Sequence, residues 1–536
     1  MSSAPPDLTS ALALMLRGGR EAIKLGSFDA AETLGREILA LDAHNAEANV
    51  ILGRALFFKK NYADAARHLT AGLKPADGPA VWVELARAQQ AQQRWPQAIA
   101  AFETAYTMRA ATAAEAAELG HAYNNNGDAK NAAVHFARSA ALDAAHAEVW
   151  NDLGAARFKL NELDAARVNF EKALLLRTDY IEALSNLALV HEARGDSAAA
   201  LAAVERITAL KPDDPALIQK RGVARLSHGK LVEGWTDYRA RFSNPAHKGW
   251  HVGIPKPPWD GGAPLTDKGI LVWSDQGLGD QILTASLLPD VVAAARHVVF
   301  SCEPRLATLI GRSFPSVRAV SLFDVPLNRV DVSDTQVHAS ISELGLAFRP
   351  SFAAFAKHTG FLKADPLKVA MLKARYAALP GPEKKRGRIV GVSWRSSNVQ
   401  AGDRKSVPLD QWASIFKTPG VRFVSLQYGE SATSIPNLFV DPEVDAVKDV
   451  DLFAAQVAAM DAIISTSNTT VHMAGALNVP TLCLTPRVEG RPWYWFVGRE
   501  VSPWYPSVRH IWQTTRGQWG DVMERAAMEL PKLLRL

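Results

Sequence analysis

At 536 residues the chain exceeds what one hydrophobic core supports, and about three domains is the natural expectation. A composition of 48% hydrophobic and 21% charged residues describes a folded protein, and a net charge of +5 without a Lys/Arg tail argues against a nucleic-acid partner. The two cysteines, Cys302 and Cys483, form neither a disulfide framework nor zinc-type spacing. There is no signal-peptide pattern and no run of about 18 apolar residues, so a cytoplasmic protein without a membrane partner is expected.

After a short tail (1–11), residues 12–245 repeat. Units start at 12, 46, 79, 113, 147, 181 and 215. The eighth position of each is small (Gly19, Gly53, Ala86, Gly120, Gly154, Ala188, Gly222), and so is the twentieth (Ala31 through Gly234). The twenty-fourth is often bulky, as in Phe102, Phe136, Phe170 and Tyr238. Small residues at fixed points let paired helices cross closely, and bulky ones are expected to fill the space between neighbouring pairs. The pattern resembles the tetratricopeptide repeat, most clearly over "AEVWNDLGAARFKLNELDAARVNFEKALLL" (147–176). Such an array forms a solenoid whose groove binds peptides or protein surfaces, or else serves as a scaffold or oligomerisation arm. Trp82 and Trp150, at the fourth position of their units, are read as core.

A Pro/Gly-rich linker (246–267) leads into alternating strands and helices, first over 268–380. "GILVW" reads as a buried strand, "SDQGLGDQIL" as a Gly-rich turn opening a helix that runs to about Ala295, and "HVVFSC" and "VRAVSL" as further strands. Gly277 and Gly279 let backbone approach a ligand closely, and Asp280 then faces the same crevice. Taken alone, those ten residues are equally a tight turn with Asp280 as a helix-start residue. A hinge (381–387) carries most of the solvated "EKKRGR" run.

A second series (388–520) follows, with strands at "RIVGVSW", "VRFVSLQ", "DAIISTS" and "VPTLCL", and the chain closes on a helix (521–536). Two Rossmann-like domains in tandem leave one crevice between the carboxyl ends of their strands. In "STSNTTVHMAGAL" (465–477), Asn468 caps a helix whose start, at Thr469 and Thr470, favours an anion, with His472 one step on. Ala474, Gly475 and Ala476 are expected to let that helix lie close to the sheet. Arg395, Arg404 and Lys405 follow the first strand of this domain, either as solvated charges or as cations for a phosphate or sugar carboxylate. The aromatic segments "RPWYWF" and "SPWYPSVRHIWQ" either pack on the hinge or stack on a sugar or base.

"GLGDQILTASLLPDV" and "STSNTTVHMAGALNVPTLCL" resemble the bacterial heptosyltransferases, glycosyltransferases of the GT-B fold. "DRKSVPLDQW" adds Lys405 where those enzymes keep a donor-phosphate lysine. Joined to tetratricopeptide repeats, and with "EGWTDYRARF", "PPWDG", "DQGLGD" and "SPWYPSVR", the chain resembles the bacterial repeat-fused glycosyltransferases. These include flagellin glycosyltransferases that add nonulosonic acids such as pseudaminic acid.

The resemblance implies a metal-independent, inverting transfer from a nucleotide sugar, a CMP-linked one among the candidates, to a Ser/Thr hydroxyl of a protein recruited by the repeats, flagellin first. It makes Asp280 the general base. Gly277, Gly279, Arg395, Lys405, Asn468, Thr469, Thr470 and His472 become the donor site, without cofactor or metal. Asn468 departs from the family, which usually carries Asp there. The amide keeps the capping capacity and drops a charge, which suits a more anionic donor or lowers activity. An inactive repeat adaptor and a glycan-directed transferase are the alternatives.

Overall fold

A computed structural model describes residues 8–243, 254, 256–274, 277–321, 330–355, 360–379, 387–397, 402–429, 435 and 437–535. The expected hinge and basic run lie almost wholly outside them. The chain divides into two compact units, residues 1–190 and 191–536.

The first unit is a succession of helix pairs. The first helix opens at Leu8, inside the expected tail and four residues before the expected start at 12; from the second unit on, the leading helices begin where the spacing puts them, at Ala46, Pro79, Ala113, Ala147 and Ile181. Local chemistry starts them. Asn45 accepts from the Ala48 N–H at 2.9 Å, Thr112 and Glu115 form a reciprocal capping box, and Pro79 stands in a first turn, where its missing N–H costs nothing. A β-carbon on Gly120 would come within 2.7 Å of the Phe136 ring, and one on Gly154 within 2.7 Å of Phe170. The bulky twenty-fourth residue therefore sits directly on the small eighth residue of its own unit. Phe136 also clusters with Leu153 and Ala156 of the next unit, so it fills the space between pairs as expected while packing within its own. Trp82 and Trp150 are half-buried, and Trp150 carries the Lys172 ammonium 4.2 Å from its ring centroid.

The second unit holds two parallel sheets. In the first, β1 (Gly269–Trp273), β2 (His297–Ser301), β3 (Val317–Val320) and β4 (Val337–Ala339) lie in the order β3-β2-β1-β4. The second contains β5 (Arg388–Ser393), β6 (Val421–Ser425), β7 (Leu438–Phe439), β8 (Ala462–Thr466), β9 (Thr481–Thr485) and β10 (Val508–Trp512), ordered β10-β9-β8-β5-β6-β7. Numbered from its own first strand, that is 3-2-1-4-5-6, the doubly wound order whose reversal between β5 and β8 opens a crevice at the strands' carboxyl ends. The helix expected to reach Ala295 is broken into Leu278–Ala285 and Leu288–Ala294, with Pro289 opening the second piece.

Residues after His191 belong to this unit although the repeat period continues through them. Trp235, fully buried, packs edge-on against Trp493 (5.2 Å) and Trp504 (6.4 Å), and its indole N–H donates to the Arg349 carbonyl at 3.1 Å. Glu192 pairs with Arg491 and His228 at 2.8 and 2.9 Å. The aromatic segments near the end thus pack against the last repeat and the strand-bearing core. Cys302 and Cys483 are buried free thiols.

Candidate active site

β1 is buried along its whole length, so the chain must turn where it leaves the sheet. Residues 275–276 lie outside the description. Gly277 then caps the helix Leu278–Ala285, and its carbonyl accepts from the Asp280 N–H at 3.0 Å. This puts the Asp280 carboxylate in the first helical turn. Gly279 has a different task from Gly277. A β-carbon there would lie 2.9 Å from Cδ2 of His472, so only glycine lets this turn meet the helix Thr469–Ala476 that follows β8.

Between them is a cleft of about 450 Å³. Gly277, Gly279 and Asp280 line it from the β1 side, and Lys405, Asn468, Thr469 and His472 from the β5/β8 side. Seven of the nine residues singled out by sequence therefore share one wall-to-wall space. Two do not. The Arg395 side chain is exposed and outside the lining, and Thr470 is wholly buried behind it. Arg395 contributes backbone instead: its N–H donates to Gln427 Oε1 at 2.9 Å, and its carbonyl accepts from Asn468 at 3.1 Å. Arg404 is also exposed.

Lys405 ends the short helix Gly402–Lys405 and is buried. Burial pushes its ammonium below the ordinary lysine range, and the Asp280 carboxylate opposes that shift.

Asn468 spends both ends of its amide. Oδ1 accepts from the Thr470 N–H and the Ser465 hydroxyl, each at 3.0 Å. Nδ2 donates to Ser393 Oγ at 2.7 Å and to the Arg395 carbonyl. It thereby ties the tips of β5 and β8 together at the crevice. A carboxylate would keep the cap but lose both donated bonds, which is a physical reason for the amide.

His472 requires a correction. It reaches the cleft wall, but Nδ1 contacts the Tyr505 hydroxyl at 2.9 Å and Nε2 the Tyr494 hydroxyl at 3.2 Å. Burial, helped by the nearby Lys405, drops its pKa to about 3, so it is neutral and supplies no positive charge to a phosphate. Gly475 also makes room for a side chain. A β-carbon there would strike the Tyr505 ring at 2.4 Å, so its small size accommodates the tyrosine.

Sequence reasoning missed Glu303, Arg305, Ser396, Ser397, Tyr428, Ser467 and Tyr494, all lining the cleft. Arg305 bonds Glu303 and the Val447 carbonyl. Tyr494 lay in an aromatic run that was visible but ambiguous. Ser467 lay inside the segment 465–477 already singled out, and Glu303, Arg305 and Tyr428 are brought in by strand order.

Protein FlbA of Caulobacter vibrioides is 34% identical over 409 residues, covering 72% of this chain and 67% of the relative. The chain belongs to the FlbA family. Tetratricopeptide-repeat models match residues 22–82 and 151–215, so the helix pairs of this family member are repeats of a kind that binds proteins. Among solved structures, YrrB, described as a tetratricopeptide-repeat protein with an unusual peptide-binding site, is 14% identical, covering 35% of this chain and 97% of its own (TM-score 0.31). MamA is 24% identical, covering 31% and 96% (TM-score 0.29). Scores this low carry no inference beyond the repeats. Among the described residues no helix is long and apolar enough to cross a membrane.

Proposed function

We propose that this family member is a protein O-glycosyltransferase of the GT-B type, moving a sugar from a nucleotide donor to a Ser/Thr hydroxyl in the cleft. The observation that carries the reading is the opposition of charge across that cleft. The Asp280 carboxylate stands on one sheet's turn, and a buried Lys405 and the helix start at Thr469 stand on the other's. A hydroxyl nucleophile has a high pKa and needs its proton removed as it attacks the anomeric carbon, the task of Asp280. The departing phosphate needs fixed positive potential, supplied by Lys405 and the helix start. Asn468 ties the tips of β5 and β8 together on that second wall.

The repeats supply the acceptor. A single hydroxyl offers little binding energy, whereas a solenoid surface holds a larger protein and raises the local concentration of that hydroxyl. The motif resemblance makes a flagellin the acceptor to test first and a nonulosonic acid the sugar. The test is intact-mass analysis of a flagellin co-expressed with this chain and a nonulosonic-acid pathway, with an Asp280→Asn arm. A mass increment in the first and none in the second supports the reading. A flagellin that binds and is never modified, with any nucleotide sugar supplied, makes the chain an adaptor.

A further inference from the structure

The relay behind the cleft wall has a direction, and the direction assigns a role to a residue outside the expected site. His472 is neutral, so one ring nitrogen carries a proton and the other accepts one. Its ring stacks on Trp495 (5.2 Å, 23°) and abuts Gly279, which fixes its plane. The Tyr505 hydroxyl is fully buried, and His472 Nδ1 is its hydrogen-bond partner among the described residues. Burial raises its phenol well above the ordinary value, so it keeps its proton. A buried O–H that donates to nothing is costly, so that proton goes to Nδ1. The imidazole proton must then sit on Nε2, from which it donates to the Tyr494 oxygen at 3.2 Å. Tyr494 also stays protonated, through burial and the nearby Asp280 carboxylate. With its oxygen already accepting from His472, its own O–H is left to donate, and Tyr494 lines the same cleft as Asp280, Lys405 and Thr469.

We propose that Tyr494 is a ligand-binding residue whose hydroxyl donates a hydrogen bond to an anionic phosphate oxygen of the nucleotide donor, oriented by the chain Tyr505–His472. The assignment rests on the donor reading above. Tyr494 touches the ligand, while His472 and Tyr505 act through it as positioning residues. The arrangement explains why a histidine unable to carry charge at ordinary pH is buried beside a phosphate site: it sets the polarity of a hydroxyl.

The test combines calorimetric titration with CMP, UDP, GDP and ADP and ¹⁵N NMR of imidazole-labelled full-length protein, with His472 assigned by His472→Gln. In the wild-type chain His472 should show a protonated Nε2 and a bare Nδ1. Tyr494→Phe, which keeps the ring and its packing, should weaken the bound nucleotide by about tenfold to a hundredfold, the worth of a hydrogen bond to a charged group. Tyr505→Phe should shift the His472 nitrogens toward a tautomer mixture and weaken the nucleotide by a smaller factor. A protonated Nδ1 in the wild type overturns the proposal, as does unchanged affinity in Tyr494→Phe when the wild type binds. A wild type that binds none of the four overturns the donor reading and the proposal with it.

Discussion

The two units solve packing over different lengths of chain. In residues 1–190 the tight contacts join partners within one repeat, as Gly120 with Phe136 and Gly154 with Phe170, or in adjacent repeats, as Gly35 with Leu52, and the solution is copied along the chain. In residues 191–536 the deciding contacts join distant segments. Asn468 reaches Ser393 across 75 positions, and Trp235 reaches the Arg349 carbonyl across 114. A repeated local solution tolerates a defective copy, because each repeat meets only its neighbours. A site assembled from single distant contacts has no second copy. Losses in the first unit should therefore be graded, and those in the second sharp.

The sharpest break is expected at Asp280. Asp280→Asn should lower transfer by about 10²- to 10⁴-fold, the usual worth of a positioned base, while nucleotide affinity by calorimetry stays near that of the wild type. Near-normal turnover would remove Asp280 as the base. Trp235→Ala tests the long-range packing. Emptying this fully buried site should cost about 3–5 kcal/mol, read as a lowered denaturation midpoint for the strand-bearing unit.

Gly154→Val places a branched side chain against Phe170 and should cost about 1–3 kcal/mol, confined to the transition of the repeats. If it instead abolished nucleotide binding, the two units would not be independent in the sense argued above. The smallest effect concerns acid. The hydrogen-bonded Arg109 guanidinium, with Thr112, holds the Glu115 carboxyl down at about 2. A depressed acid stabilises the fold fully above the ordinary carboxylate range and loses that contribution as pH falls through its folded value. Melting temperature should therefore fall between about pH 4.5 and 2, and Arg109→Ala should flatten that decline.

The same contrast decides what could be read from sequence. From the second unit on, the repeats were legible because their spacing is local: leading helices start at Ala46, Pro79, Ala113, Ala147 and Ile181, as the period requires. Strands β1, β2, β3, β5, β6, β8 and β9 were legible as β-branched runs. β4 and β7 were not, being three and two residues long, and β10 was hidden in an aromatic segment that resembled a loop. In the site, the Gly-rich turn and the polar loop left Asp280 and Lys405 open between structural and ligand-facing readings, and the motif resemblance pointed to the cleft that both line. The cap formed by Asn468 was legible as well, but its bonds to Ser393 and the Arg395 carbonyl and the roles of His472 and Tyr494 were not. Each depends on a partner that only the fold delivers, and a histidine in a string of letters does not say whether it is charged.

The burial of Trp235 bears on how this chain can be cut for study. A boundary chosen by counting repeats falls near residue 245, and it would strip Trp235 and Tyr238 from beneath Trp493 and sever Glu192 from Arg491. A fragment starting at Ile181, where a repeat opens, keeps those partners together and removes the preceding ten helices. The shorter fragment should come out of expression as aggregate and the longer one folded, although both contain every residue of the cleft. Failure of the shorter piece would then report a torn core, and would say nothing about whether the repeats are needed for activity.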